Sequence, residues 1–158
     1  MEINVNAKGV LEINNARIVF RNFAGAPSKF NREGDRNFGL IIDDAAIAEQ
    51  LRQDGWNVKA KGDPEDPYYF MTVKVKFNSY GPYAQMVSNG VATVLGEETI
   101  ATLDNIDIEK VDLDVRPYDW EMNGRTGRTA YLSAISVTCR SNRFANFQAP
   151  AAEEDLPF

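Results

Sequence analysis

The sequence predicts a mainly β domain, an antiparallel barrel or sandwich with one or two short helices, and three observations predict it. Apolar residues recur at every second position over most of the chain, two-residue turn signals punctuate these runs, and only one segment has a clear helical period. The chain has 158 residues, enough for one domain of ordinary size. In order, residues 17–23 read as a strand with Ile18 and Phe20 on the core face and Arg17, Val19, Arg21 and Phe23 on the other. A turn-rich stretch, 24–35, leads to a second strand at 36–43. Asp43 or Asp44 then caps a helix running to about residue 54, with Ile47 and Leu51 one turn apart and Gly55 as its stop. A short strand is expected at 56–60 and a loop at 61–67.

Residues 69–77 alternate, with Met71, Val73, Val75 and Phe77 on one face and Thr72, Lys74 and Lys76 on the other. The loop that follows carries Tyr80 and Tyr83, and Asn89-Gly90 marks a tight hairpin between 86–88 and 91–95. One or two helical turns fit 97–103. A long strand over 106–120 changes phase around Glu109-Lys110, which predicts a β-bulge. Asn123-Gly124 and Gly127 turn it into a returning strand at 128–139. That makes about seven strands over a domain spanning 1–140, followed by a tail at 141–158.

Composition removes several function classes. With no histidine there is no Ser-His or Cys-His nucleophile system, and the commonest zinc ligand is missing. The single Cys139 forms no internal disulfide and reads as a small core residue. No apolar run reaches the roughly 18 residues of a membrane span, and no signal segment follows Met1. Gly-rich phosphate loops are absent, so neither a cofactor nor a metal is implied.

The net charge of −6 conceals segregation. Residues 17–40 hold Arg17, Arg21, Lys29, Arg32 and Arg36 against Glu33 and Asp35, and 116–144 hold five arginines against Asp119 and Glu121. Residues 81–115 instead carry Lys110 against seven acids. If Val111, Leu113 and Val115 face the core, Arg116, Tyr118 and Trp120 share the opposite face. A cation interleaved with rings suits a groove for single-stranded nucleic acid, because charge follows the backbone while rings stack on any base. Arg21, Phe23, Phe30, Arg32 and Arg36 form a second such group, and Lys74 and Lys76 with Tyr80 and Tyr83 a third. The acids Asp104, Asp107, Glu109, Asp112 and Asp114 show no recognisable metal spacing, so a metal-dependent nuclease is the weakest alternative.

The chain ends Glu153-Glu154-Asp155-Leu156-Pro157-Phe158, acids followed by an apolar ring and a free carboxylate. Such an end fits a partner pocket lined by Lys or Arg, or competes with a polyanion for its own protein's basic groove.

This hexapeptide resembles the acidic tip of bacterial single-stranded DNA-binding proteins, and residues 115–137 resemble the long hairpin of their oligonucleotide-binding barrel. The Arg-Asn-Phe triplets at 21–23 and 36–38 are similar to phage-encoded proteins of that function. The helix at 44–54 and the short linker depart from the bacterial pattern, so their tetramer is not carried over and self-association is left open. The resemblance implies a five-stranded Greek-key oligonucleotide-binding (OB) barrel with an extra hairpin and one or two short helices. It implies a phage-encoded, non-enzymatic protein in the bacterial cytoplasm, binding single-stranded DNA during replication, recombination or repair. In that reading Arg21, Arg32, Arg36, Lys74, Lys76, Arg116, Arg125 and Arg128 meet phosphate, and Phe23, Phe30, Tyr80, Tyr83, Tyr118 and Trp120 stack on bases. Residues 153–158 recruit host or phage replication and repair proteins. The alternative is a structural β-barrel protein of a virion that binds protein and not DNA.

Overall fold

The computed structural model describes residues 1–140, with the tail and its tip at 153–158 outside the described residues. Ten strands form one sheet: β1 (Glu2–Val5), β2 (Leu11–Asn14), β3 (Ile18–Asn22), β4 (Arg36–Ile42), β5 (Lys59–Asp63), β6 (Asp66–Val75), β7 (Tyr83–Ser88), β8 (Val91–Leu95), β9 (Ile108–Met122) and β10 (Arg125–Cys139). The main path runs β1-β2-β9-β10-β6-β4-β3, with β5 on β6 and the β7–β8 hairpin on β10. The mainly β class is as expected, with ten strands in place of five or seven. The N-terminal β1 and β2 are additional, and the strand expected at 56–60 lies at 59–63 as β5.

One helix, α1 (Ala45–Gln53), follows β4, and Asp44 caps it by accepting from the N–H of Ala46 at 2.7 Å and of Ile47 at 3.2 Å. Ala48 and Leu51 face inward. A 3₁₀ turn at Ile100–Asp104 buries Ile100 and Leu103. Asn89-Gly90 and Asn123-Gly124 all have positive φ, the pairing that two-residue hairpin turns require. The expected bulge is present: Thr138 pairs with Lys110 and Cys139 with Ile108, which leaves Glu109 as the extra residue.

A second bulge organises the molecule. Leu132 pairs with Val115 and Ala134 with Asp114, so Ser133 is extra. Below it, Ala130 and Tyr131 run parallel to Val73 and Lys74 of β6; above it, residues 134–138 run parallel to β7. β10 therefore changes partner at Ser133, and the 76–82 loop crosses over that point.

The core lies on one face of this curved sheet. Leu11, Ile13, Phe38, Leu40, Met71, Val73, Val75, Val111, Leu113, Val115, Leu132, Ile135 and Val137 all turn inward. β3 does not complete the barrel by a ladder. Ala16 N–H donates to Val111 O at 2.8 Å, and the Arg21 guanidinium crosses the seam to Leu103 O at 2.7 Å and Ile106 O at 2.9 Å.

Two expectations are corrected. The register of β3 against β4 slips between Val19 and Asn22, with Phe20 at φ +52°, so the alternation reverses. Phe20 is turned out to solvent and Phe23 is fully buried, stacked on Phe38 with centroids 5.1 Å apart. The 61–67 segment, expected to be loop, is a hairpin in which Lys61 pairs with Tyr68 and Asp63 with Asp66.

Candidate nucleic-acid interface

The outward face of the sheet opposes this core. Register places Asn37 of β4, Lys74 of β6, Tyr131 of β10 and Arg116 of β9 in one row across four strands. One step along β9 and β10, Tyr118 stands opposite Thr129, and one step further Trp120 stands opposite Gly127. Their alternation with Val111, Leu113 and Val115 is what turns them outward.

Arg116 is the centre of this face. Its guanidinium carbon lies 4.9 Å from the Tyr131 ring centroid and 5.8 Å from that of Tyr80, which the 76–82 loop delivers. Tyr118 meets Tyr131 edge-on at 6.1 Å. The Arg116 Nε is buried and has no hydrogen-bond partner among the described residues. Buried donors are ordinarily paired, so this N–H is available to an acceptor such as a phosphate oxygen. Lys74 and Lys76 stand exposed beside it, and neither they nor Arg116 forms an ion pair among the described residues.

A groove of about 360 Å³ continues from Tyr131 and Lys74 to the 24–35 loop, whose tip carries Phe30, 91% exposed, with Lys29 Nζ 5.7 Å from its centroid. Arg32 is exposed there, paired with Asp35 at 3.5 Å. At the far end of the long hairpin Trp120 rests on Gly127, where a Cβ would collide with the indole. Arg125 is exposed beside it. So Lys74, Lys76, Tyr80, Arg116 and Tyr118 come together, Phe30 and Arg32 edge the groove, and Trp120 and Arg125 extend it.

Other expected site residues are engaged elsewhere. Phe23 is sealed in the core and cannot reach a base. Arg21 bridges the seam. Arg36 falls in the inward phase of β4, donating to Phe23 O at 2.9 Å and Glu97 O at 3.1 Å over the Phe77 ring. Arg128 donates to Asp119 at 2.7 Å and Asp54 O at 2.8 Å while covering Trp56. The hydrogen bond from Arg128 holds the Asp119 carboxyl below its usual range, and the same bond raises Arg128. Tyr83 lies beyond the Ser133 bulge in a cleft with Asp112 and Asp114, away from the cationic row.

The acids are likewise structural. Asp104 accepts from Phe23 N at 2.8 Å and Ala24 N at 2.9 Å, and Asp112 accepts from Asn15 N at 3.0 Å. Among the described residues no three potential metal-ligating side chains gather. Burial, then the nearby Glu12, pushes the Asp114 carboxyl up, and burial pushes the Cys139 thiol up. Tyr131 is the central residue that sequence reasoning left out of the site; its pairing with Arg116 across the Asn123-Gly124 turn was the available signal.

A model of a putative phage single-stranded DNA-binding domain matches residues 3–157. The chain belongs to that family. No curated protein sequence matches it. Its fold is similar to that of a single-stranded DNA-binding protein from bacteriophage Enc34 solved in complex with single-stranded DNA, with a TM-score of 0.58 at 13% identity over 90% of this chain and 93% of that one. A second structure of the single-stranded DNA-binding protein from bacteriophage Enc34 gives 0.56 at 12% identity, covering 98% and 94%. The fold is thus of the OB type, with added strands. Among the described residues no helix is long and apolar enough to cross a membrane.

Proposed function

We propose that this protein binds single-stranded DNA without sequence preference along the outward face of β9, β10 and β6. Phosphates meet Arg116, Lys74 and Lys76, and bases stack on Tyr80, Tyr118, Tyr131 and Trp120. The observation that carries this reading is Arg116, 4.9 and 5.8 Å from two tyrosine rings, with a buried Nε that has no partner among the described residues, beside two lysines that form no ion pair among them. Family membership supports it independently. The Asn37 amide in this row is already committed to Asn31 Oδ1 at 2.9 Å and Asp35 O at 3.2 Å, and affinity comes from stacking and counterion release.

The protein acts without catalysis, in the host cytoplasm, during phage DNA replication, recombination or repair. The tip Glu153–Phe158 recruits partner proteins and, as a polyanion mimic, competes for the cationic row. The test is fluorescence anisotropy of a labelled poly-dT oligonucleotide over a salt series, with a duplex competitor and a variant lacking 153–158. Preference for the single strand, affinity falling steeply with salt and tighter binding by the truncated chain are expected. No binding at low salt overturns the reading.

A further inference from the structure

A second aromatic and cationic cluster lies on the same outward face, outside the site described above. Phe20 is 57% exposed and Tyr68 39%, with Phe70 buried beneath them. Phe20 meets Phe70 edge-on at 5.8 Å, and Tyr68 lies 6.1 Å from Phe70. Lys61 Nζ stands 5.6 Å from the Phe20 centroid and 5.7 Å from that of Phe70. Register pairs Lys59 with Phe70 and Lys61 with Tyr68, so both lysines share this face. Neither is in an ion pair among the described residues.

The backbone is bent to present it. Phe20 holds φ +52°, a left-handed conformation that a bulky residue rarely adopts and that persists where surrounding structure imposes it. Gly39 leaves room for that ring: a Cβ there would lie 3.1 Å from Phe20. A ring serving the core would be enclosed, as Phe23 is three residues on. This one is strained outward and left open under an ammonium group.

We infer that Phe20, Tyr68 and Lys61 form a second stacking platform for single-stranded DNA, continuous with the Arg116 row, taking an unpaired base on the rings and its phosphate on Lys61. The inference rests on the binding face proposed above. Continuity singles out DNA as the occupant. Lys74 of the first row and Phe70 of the second cluster belong to one strand, four residues and about 13 Å apart, with exposed Thr72 between them. A chain leaving Tyr131 across β6 therefore reaches the Phe20 ring without leaving the face.

The experiment compares Kd values of the full chain for dT oligonucleotides of about 4 and about 16 nucleotides, spanning the range of OB-domain site sizes. Phe20→Ala, Tyr68→Ala and Lys61→Ala are measured beside Tyr118→Ala. Phe20→Ala and Tyr68→Ala are each expected to weaken the long oligonucleotide by about 5- to 100-fold, while the short one changes by less than about twofold. Lys61→Ala is expected to flatten the salt dependence for the long one only. Wild-type affinity of Phe20→Ala for the long oligonucleotide, with Tyr118→Ala impaired, overturns the second platform and leaves the first. Wild-type affinity of both overturns the whole face. Self-association abolished by Phe20→Ala with DNA affinity intact makes the patch a protein contact, and also overturns the inference. Should Phe20→Ala not fold, photo-crosslinking of the unaltered chain to iodouracil-substituted strands decides. Adducts on Phe20 or Tyr68 support the platform; adducts confined to Tyr80, Tyr118 and Tyr131 overturn it.

Discussion

The seam beside β3 and the outward face of β9 both rest on arginine, in opposite ways. At the seam two guanidiniums find carbonyls: Arg21 reaches Leu103 and Ile106, and Arg36 reaches Phe23 and Glu97. On the face Arg116 lies near two rings and has no partner at its Nε among the described residues. The difference teaches that a basic segment can be a structural staple or a ligand site, and that the local chain does not say which. Residues 17–40 and 116–144 carry the same excess of basic over acidic residues. In the first, two of five cations close the fold; in the second, Arg116 forms no ion pair among the described residues.

The comparison breaks most visibly at Arg21. Arg21→Ala removes two charge-assisted hydrogen bonds and leaves two carbonyls short of a donor, a loss of about 3 kcal/mol in chemical denaturation. The affinity of the folded fraction for single-stranded DNA is expected to stay unchanged. Tyr118→Ala should do the reverse, lowering affinity by about 1–3 kcal/mol in anisotropy titrations while costing under about 1 kcal/mol of stability through its lost contact with Tyr131. Arg116→Ala should lower the slope of log K against log salt by about 0.7, the share of one phosphate contact. If Arg21→Ala impaired binding as much as Arg116→Ala, the division between seam and face would fail.

Smaller effects sharpen it. The Asp119 carboxyl is held down by Arg128, so its contribution is full above the ordinary Asp pKa of about 3.9 and is lost as pH falls through its lower folded value. Asp119 is mostly exposed, so Asp119→Asn should cost under about 1 kcal/mol at neutral pH, a difference that vanishes in strong acid. Asp114 has the opposite sign. Its carboxyl is pushed up by burial and by Glu12 directly across the ladder, so its charge opposes folding at neutral pH and the penalty is relieved as pH falls through the raised value. Asp114→Asn is therefore expected to raise stability by a few tenths of a kcal/mol, read from the thermal midpoint at neutral pH.

What the sequence made legible was local. The Asn-Gly turns, the Asp44 cap and the bulge at Glu109 each depend on a few neighbouring residues, and each appears where expected. The alternation in 111–120 likewise placed Arg116, Tyr118 and Trp120 on one outward face. The misreadings came from long range. Periodicity cannot register a slip that depends on β4 pairing, so Phe20 and Phe23 exchanged faces. The carbonyls that hold Arg21 are more than 80 residues away in the chain, beyond any local pattern. The β5 strand has no apolar alternation at all, because every residue in it is exposed, and its pairing to β6 alone makes it a strand.

The two tryptophans give the molecule an optical contrast of its own. Trp56 is 4% exposed and roofed by Arg128, whereas Trp120 is 38% exposed on the long hairpin. Their indoles therefore differ in emission colour and in access to a soluble quencher, without any label. A polynucleotide lying along the hairpin would dim the redder, quenchable component and leave the bluer one alone. The ratio of the two colours would then report how far along the arm the strand extends.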